Sequence, residues 1–138
     1  MKISLAAALL MLAAPAGAMA ETASAVFAFP QLKDHRGEVL VALYPDKAAY
    51  DVRKGALEAR APAAAREVRF EGLKPGRYAA MMFRDVNGDG KMNFAPLGIP
   101  LEPYAFSNNA PGRLGPAPWA KTVFEVKAGE TRQSIRLP

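Results

Sequence analysis

The sequence has no cysteine in 138 residues, one histidine and one tryptophan. Without thiols there are no disulfide bonds, thiolate metal sites, cysteine-linked haem groups or thiol nucleophiles. Attachment of a lipid to an N-terminal cysteine is excluded on the same ground. His35 lies in the polar turn Lys33-Asp34-His35-Arg36-Gly37, so the one imidazole is expected at the surface rather than in a catalytic pair. The Gly-x-Ser-x-Gly pattern of a nucleophile elbow does not occur. Formal net charge is +5, yet the cations from Arg53 to Arg84 are dispersed. A nucleic-acid surface requires a basic stripe with interleaved aromatics, and there is none. A solvated surface is the expected role of these charges, with weak attraction to anionic lipid or cell-wall polymer as the alternative.

Long apolar runs are equally scarce. One extends from Ile3 to Leu12, broken only by Ser4, and follows the positive charge of Lys2. Pro15 and Gly17 end it, and Ala18-Met19-Ala20 supplies the small-x-small pattern of a signal peptidase site. A membrane span needs about 20 apolar residues, so this run is too short for an anchor. Residues 1–20 are therefore read as a cleavable signal peptide. Residues 21–138 are read as a single domain, periplasmic or secreted, with no integral membrane segment after cleavage. Ala23-Ser24-Ala25 offers a second cutting site a few residues further on.

Strand pattern, by contrast, is plentiful. Val26, Phe27 and Phe29 mark a short strand closed by Pro30. In Glu38–Tyr44 both alternating sets are apolar, Val39, Val41 and Leu43 on one side and Leu40, Ala42 and Tyr44 on the other, which predicts at least partial burial of both faces. Asp46 to Val52 reads as a helical turn with Asp46 as N-cap. Arg60 to Ala65, alanine-rich around Pro62, reads as a loop or edge segment. Arg66 to Phe70 alternates charged and apolar residues as a half-buried strand does. Pro75-Gly76 fits the centre of a type II turn with positive φ at Gly76, and Tyr78 to Arg84 forms the next strand. Thr122 to Val126 and Gln133 to Leu137, separated by Ala128-Gly129-Glu130, read as a closing hairpin. The sum predicts an all-β fold, an antiparallel β-sandwich of about seven strands, transthyretin-like or immunoglobulin-like.

One long ordered proline-rich loop, residues 85–121, interrupts this pattern. Six of the twelve prolines fall between Pro96 and Pro118, stiffening the segment. Phe94, Leu97, Ile99, Leu101, Tyr104, Phe106 and Trp119 make it too apolar for a disordered linker, so it is expected to pack over one end or edge of the sandwich. It opens with Asp85-Val86-Asn87-Gly88-Asp89-Gly90-Lys91-Met92-Asn93. Oxygen side chains at alternate positions, followed by a glycine, match the first half of an EF-hand calcium loop. The candidate ligands are Asp85, Asn87, Asp89, the carbonyl of Lys91, and Asn93. Position 12 is Pro96, so the usual bidentate glutamate is missing. Affinity is then weak unless Glu102 or an amide of Ser107-Asn108-Asn109 folds back. The alternatives are a metal-free Asx turn or another cation.

Beyond this loop, Tyr104, Phe106, Asn108, Asn109 and Trp119 are candidates for a shallow platform that takes a glycan or peptide. A hydrolase built on Asp85, Asp89 and Glu102 is the weaker alternative, and a calcium-stiffened or metal-free structural domain of an envelope assembly is a third reading. Neither a ligand nor a partner is specified by these residues.

The VALY strand, the Leu73-Lys74-Pro75-Gly76-Arg77-Tyr78 corner, the DVNGDGK loop, the stretch LGIPLEPYAFSNN and the glycine-proline-rich segment before Trp119 occur together. In these the chain resembles the bacterial exported domain-of-unknown-function family numbered twenty-one forty-one, over nearly all of the sequence after the apolar leader. The resemblance implies an extracytoplasmic β-sandwich and no assigned activity. Three departures stand out: Arg84 where the family often has histidine, Val86 where an acidic residue is common, and Ala105 where glycine is usual. An arginine replaces histidine neither as a ligand nor as a proton shuttle near neutral pH, which favours a calcium-type role over catalysis.

Overall fold

The computed structural model describes residues 22–138. The expected signal peptide, residues 1–20, lies outside the described residues. In chain order the strands are β1 (Ala23–Ala28), β2 (Glu38–Tyr44), β3 (Leu57–Pro62), β4 (Glu67–Leu73), β5 (Gly76–Asp85), β6 (Phe94–Ala95), β7 (Ile99–Pro100), β8 (Tyr104–Phe106), β9 (Phe124–Val126) and β10 (Gly129–Ser134). Two short helices, α1 (Lys47–Val52) and α2 (Trp119–Thr122), follow β2 and precede β9. One sheet has the order β10-β1-β4; the other runs β3-β2-β5-β8, with β9 also on β5. The protein is an all-β sandwich, as expected.

Alternation decides what lies between the sheets. Val39, Val41 and Leu43 of β2 and Ala80 and Met82 of β5 face Phe27, Val68 and Phe70 of the opposite sheet, all within one buried cluster. Phe27 sits edge-on to Phe70 at 6.1 Å and to Phe124 at 5.8 Å, a geometry favoured by aromatic quadrupoles. Asp46 caps α1 by accepting the Ala49 N–H at 2.7 Å. The Tyr78 hydroxyl donates to the Lys74 carbonyl at 2.7 Å and so fixes the corner where the chain passes from β4 to β5.

Three local expectations are corrected. The positive φ at this corner belongs to Gly72 (65°), not to Gly76. The closing hairpin does not form. β9 pairs antiparallel with β5, and β10 pairs parallel with β1, Ala23 opposite Gly129. The short link between β9 and β10 carries the chain across the sandwich instead of reversing it within one sheet, and the ladder ends at Ser134, leaving Ile135 and Leu137 to bury beyond it. Finally, the long segment contains a strand, since Tyr104–Phe106 adds to β5 with Met82 opposite Ala105.

Ser107, fully buried just past β8, ties this strand to its neighbours. Its Oγ accepts the Ala80 N–H at 2.9 Å and donates to the Thr122 carbonyl at 2.6 Å. Replacing Ser107 with Ala leaves a buried donor and a buried acceptor without a partner. We expect a loss of about 1–3 kcal/mol in urea unfolding, with the m-value unchanged; an unaltered midpoint would refute the role of this hydroxyl.

Candidate functional site

The acidic loop begins where β5 ends. Strand alternation puts Asp85 on the outer face of the sheet, away from the sandwich interior, and the returning chain covers it until only 3% of its surface is exposed. Its Oδ1 accepts the Gly88 N–H at 3.0 Å and its Oδ2 the Gly90 N–H at 2.7 Å. Both glycines have φ near +75°, the region that L side chains resist. The loop is thus wound around one carboxylate. Gly37 passes close by just before the neighbouring strand β2: a Cβ there would lie 2.1 Å from the Asp85 carbonyl oxygen.

The other candidate ligands gather around this centre. Asn87 Oδ1 accepts the Asp89 N–H at 3.3 Å, and Asn87 Nδ2 donates to Asn93 Oδ1 at 3.0 Å. Asp89 Oδ1 accepts the Lys91 N–H at 2.9 Å, and its Oδ2 accepts from Asn93 Nδ2 at 2.8 Å. Glu102 folds back onto the loop, meeting the condition set by the sequence; its Oε1 accepts the Asn93 N–H at 3.0 Å and its Oε2 the Val86 N–H at 2.9 Å. Carboxylate oxygens of Asp85, Asp89 and Glu102 lie within 4.8 Å of one another. Ligands on opposite sides of a calcium ion, each at 2.3–2.6 Å, are about 4.6–5.2 Å apart, so the spacing fits that ion.

Arg84, the residue before Asp85, projects to the opposite face of β5. Its Nη1 lies 3.1 Å from Asp34 Oδ2 and donates to the Arg36 carbonyl. Arg36 grips the same carboxylate with Nε and Nη2, and this hydrogen bonding, with the charge of Arg84, holds the Asp34 carboxyl well below the usual range. Arg84 therefore takes no part in the acidic loop. His35 is exposed, with Nε2 3.2 Å from the Leu32 carbonyl oxygen.

The expected ligand platform does not form as one surface. Phe106 is buried at 5% exposure and stands edge-on to Tyr104 at 5.9 Å. Trp119 belongs to another cluster, packed on Tyr50 at 5.8 Å. Both asparagines spend their amides on the fold. Asn108 Nδ2 donates to the Lys121 and Val123 carbonyls, and its Oδ1 accepts from Gln133. Asn109 donates to the Ser134 carbonyl and accepts the Arg136 N–H. Asn108 thus ties the segment to the end of α2 and to β10, and Asn109 to the end of β10 and the residues beyond it.

An apolar groove of about 1280 Å³, which sequence reasoning missed, runs along the outer face of β3-β2-β5-β8. Leu40, Met81, Phe83 and Tyr104 line it from the sheet, and Leu97 and Leu114 from the overarching loop. The loop is less packed than expected: Phe94, Ile99 and Leu101 are exposed, Leu97 is 99% exposed and Leu114 fully so. The backbone turns these tips outward. Leu97 and Leu114 both adopt positive φ, 70° and 51°, and each precedes a glycine that does the same. The only sequence signal for this was the apolar outer set of β2, Leu40, Ala42 and Tyr44.

A β-sandwich with an acidic strand-end loop and one strapped outer face is thus the class that fold and site define. The chain belongs to the family described as "Uncharacterized protein conserved in bacteria (DUF2141)", whose model matches residues 28–134. Neither curated proteins nor solved structures yield a match. Among the described residues, no helix is long and apolar enough to cross a membrane.

The acidic loop has a pH signature. The Lys91 N–H, followed by the Asn93 amide, lowers the Asp89 carboxyl from its ordinary value of 3.8. A depressed folded-state value favours the native state above the unfolded value, and this contribution is lost as pH falls through the lowered one. A carboxyl-detected NMR titration should therefore place Asp89 below 3.8, and Asn93→Ala should move it back up; an Asp89 value unchanged by the substitution would contradict the geometry.

Proposed function

We infer that this protein is an exported, non-enzymatic binding or accessory module of the bacterial cell envelope, and that its Asp85–Asn93 loop takes a calcium ion. The return of Glu102 to within 4.8 Å of Asp85 and Asp89 carries this reading. It supplies a third carboxylate to a set of hard oxygen donors, the chemistry that calcium selects. Asp85, Asn87, Asp89, Asn93 and Glu102 would hold the ion, joined by the Lys91 carbonyl. Bound there, calcium supplies charge neutralisation and rigidity to the start of the loop that roofs the groove. Export is consistent with the affinity such a loop offers, because extracellular modules bind calcium with Kd values of about 10⁻⁴–10⁻³ M.

One observation favours a metal-free structural role instead. Both oxygens of Asp85 and both of Glu102 already accept backbone N–H groups, so the loop is held shut by its own hydrogen bonds. The same engagement weighs against a hydrolase, which requires a carboxylate free to move a proton. Calcium titration separates the two readings. At 10 mM calcium, a site of the affinity given above stabilises the fold by about 1.4–2.7 kcal/mol, raising the melting temperature by several degrees. Asp89→Asn, which keeps the side chain's size but removes its charge, should abolish the shift, measured against the variant's own metal-free melting temperature. No shift in the unsubstituted protein would establish the metal-free role.

A further inference from the structure

The groove above the outer sheet face is not part of the acidic loop's chemistry, and its construction asks for an occupant. A sheet face turned away from the core is ordinarily polar. Here its floor is Leu40, Met81, Phe83 and Tyr104. Its roof is two Leu-Gly tips, Leu97-Gly98 and Leu114-Gly115, from separate parts of the loop, with positive φ at all four residues. Holding a leucine at positive φ costs roughly 1–2 kcal/mol. Here each strained leucine exposes nearly its whole side chain to water, so the fold gains no burial to offset the strain. Such paired strain at a concave apolar surface points to a ligand that covers both leucines.

The charges around the groove select the ligand's head. Arg53, Glu58 and Arg60 are the ionised side chains among its lining residues. Lys91 lies between the lining residues Gly90 and Met92, and Arg113 precedes Leu114. Among the described residues, Arg53, Lys91 and Arg113 make no ion pair, and Arg60 makes only a long one to Glu38 at 3.8 Å. Arg53 and Arg60 stand against Glu58 among the lining residues, and of the charges flanking the lining Lys91 and Arg113 outnumber Asp89, which adjoins Gly90, so the rim keeps a positive excess. The volume, about 1280 Å³, is above the roughly 300–1,000 Å³ of ordinary small-molecule pockets, which suits a long flexible chain better than a compact ring. The concavity suits a single molecule better than a flat bilayer.

We propose that this groove binds one long-chain aliphatic carboxylate, its chain lying on the outer sheet face beneath Leu97 and Leu114 and its anionic head at the basic rim. The proposal rests on the binding-module reading and is independent of calcium. Its test is calorimetric titration of the full soluble protein, in EDTA, with oleate below its micellar concentration and with oleylamine as a cationic counterpart of equal length. Saturable uptake of oleate at one molecule per chain is expected, with oleylamine at least about tenfold weaker. Leu97→Asn combined with Leu114→Asn should weaken oleate about tenfold or more, since each leucine loses its apolar contact with the chain. Asparagine tolerates positive φ better than leucine, so the same double variant should melt at an equal or higher temperature. A merely structural role for the two tips would lower it.

Failure of oleate to bind, or oleate affinity unchanged in the double variant, would overturn the proposal. Two further outcomes would also overturn it: association only with phosphatidylglycerol vesicles, meaning that the tips meet a membrane surface, and self-association abolished by the double variant, meaning that a second copy covers the face. A calcium-dependent melting shift without oleate uptake would sink this inference alone. Oleate uptake without a calcium shift would sink the calcium reading alone.

Discussion

A backbone that leaves its ladder must find other partners for its N–H and C=O groups, and the long segment after β5 meets that demand with side chains. At its start, four carboxylate oxygens of Asp85 and Glu102 take the N–H groups of Gly88, Gly90, Asn93 and Val86. Further on, Ser107, Asn108 and Asn109 tie the segment to β5, to α2 and the residue after it, and to β10. Between these anchorages the chain carries only the two-residue pair β6–β7 and the three-residue strand β8. The shape of the site therefore depends on a few polar side chains, each nearly saturated with bonds. Removing Asp85, Glu102 or Ser107, all buried, leaves partners shielded from water and unsatisfied, which is why such positions are costly to change.

These same side chains explain where sequence reading succeeded and where it failed. Asp46 was legible as a helix cap, and Glu38–Tyr44 as a strand at least partly buried on both faces, because cap chemistry and alternation are local. The acidic loop was legible through its spacing, and so was the need for Glu102 to return. The hydrogen bonds that Asn108 and Asn109 make within the fold were not legible, because exposed amides look alike in a sequence whether they await a sugar or bind the backbone. β8 was missed because three residues between prolines show no usable period. The parallel pairing of β10 with β1 joins opposite ends of the described chain, a relation that no local pattern encodes.

Leu97 and Leu114 show a different failure. Apolar residues in a proline-stiffened segment are reasonably expected to bury themselves, and Phe106 does so. The two leucines do not; both sit at positive φ, of which leucine gives no warning as glycine does. The glycines that follow them, Gly98 and Gly115, are visible in the sequence but do not report the φ of the residue before them.

The acidic loop and the groove are physically continuous. Gly90 and Met92, within the loop, also line the groove, and Asn93 leads directly into β6 below the Leu97 tip. Whatever fixes the loop, whether its own hydrogen bonds or an ion, thus sets the height of part of the groove's roof. Linkage then requires that any ion whose binding alters this roof alter the groove's affinity, and that a groove ligand alter the ion's affinity by the same factor. A roof already fixed by the N–H groups around Asp85 and Glu102 leaves an ion little to change, and the coupling is small. A roof loosened at Asp89, the one exposed carboxylate of the three, gives the ion something to order, and the coupling grows with the order gained. The stiffness of the strap, more than the donor count of the loop, decides whether the two regions work as one site or as neighbours.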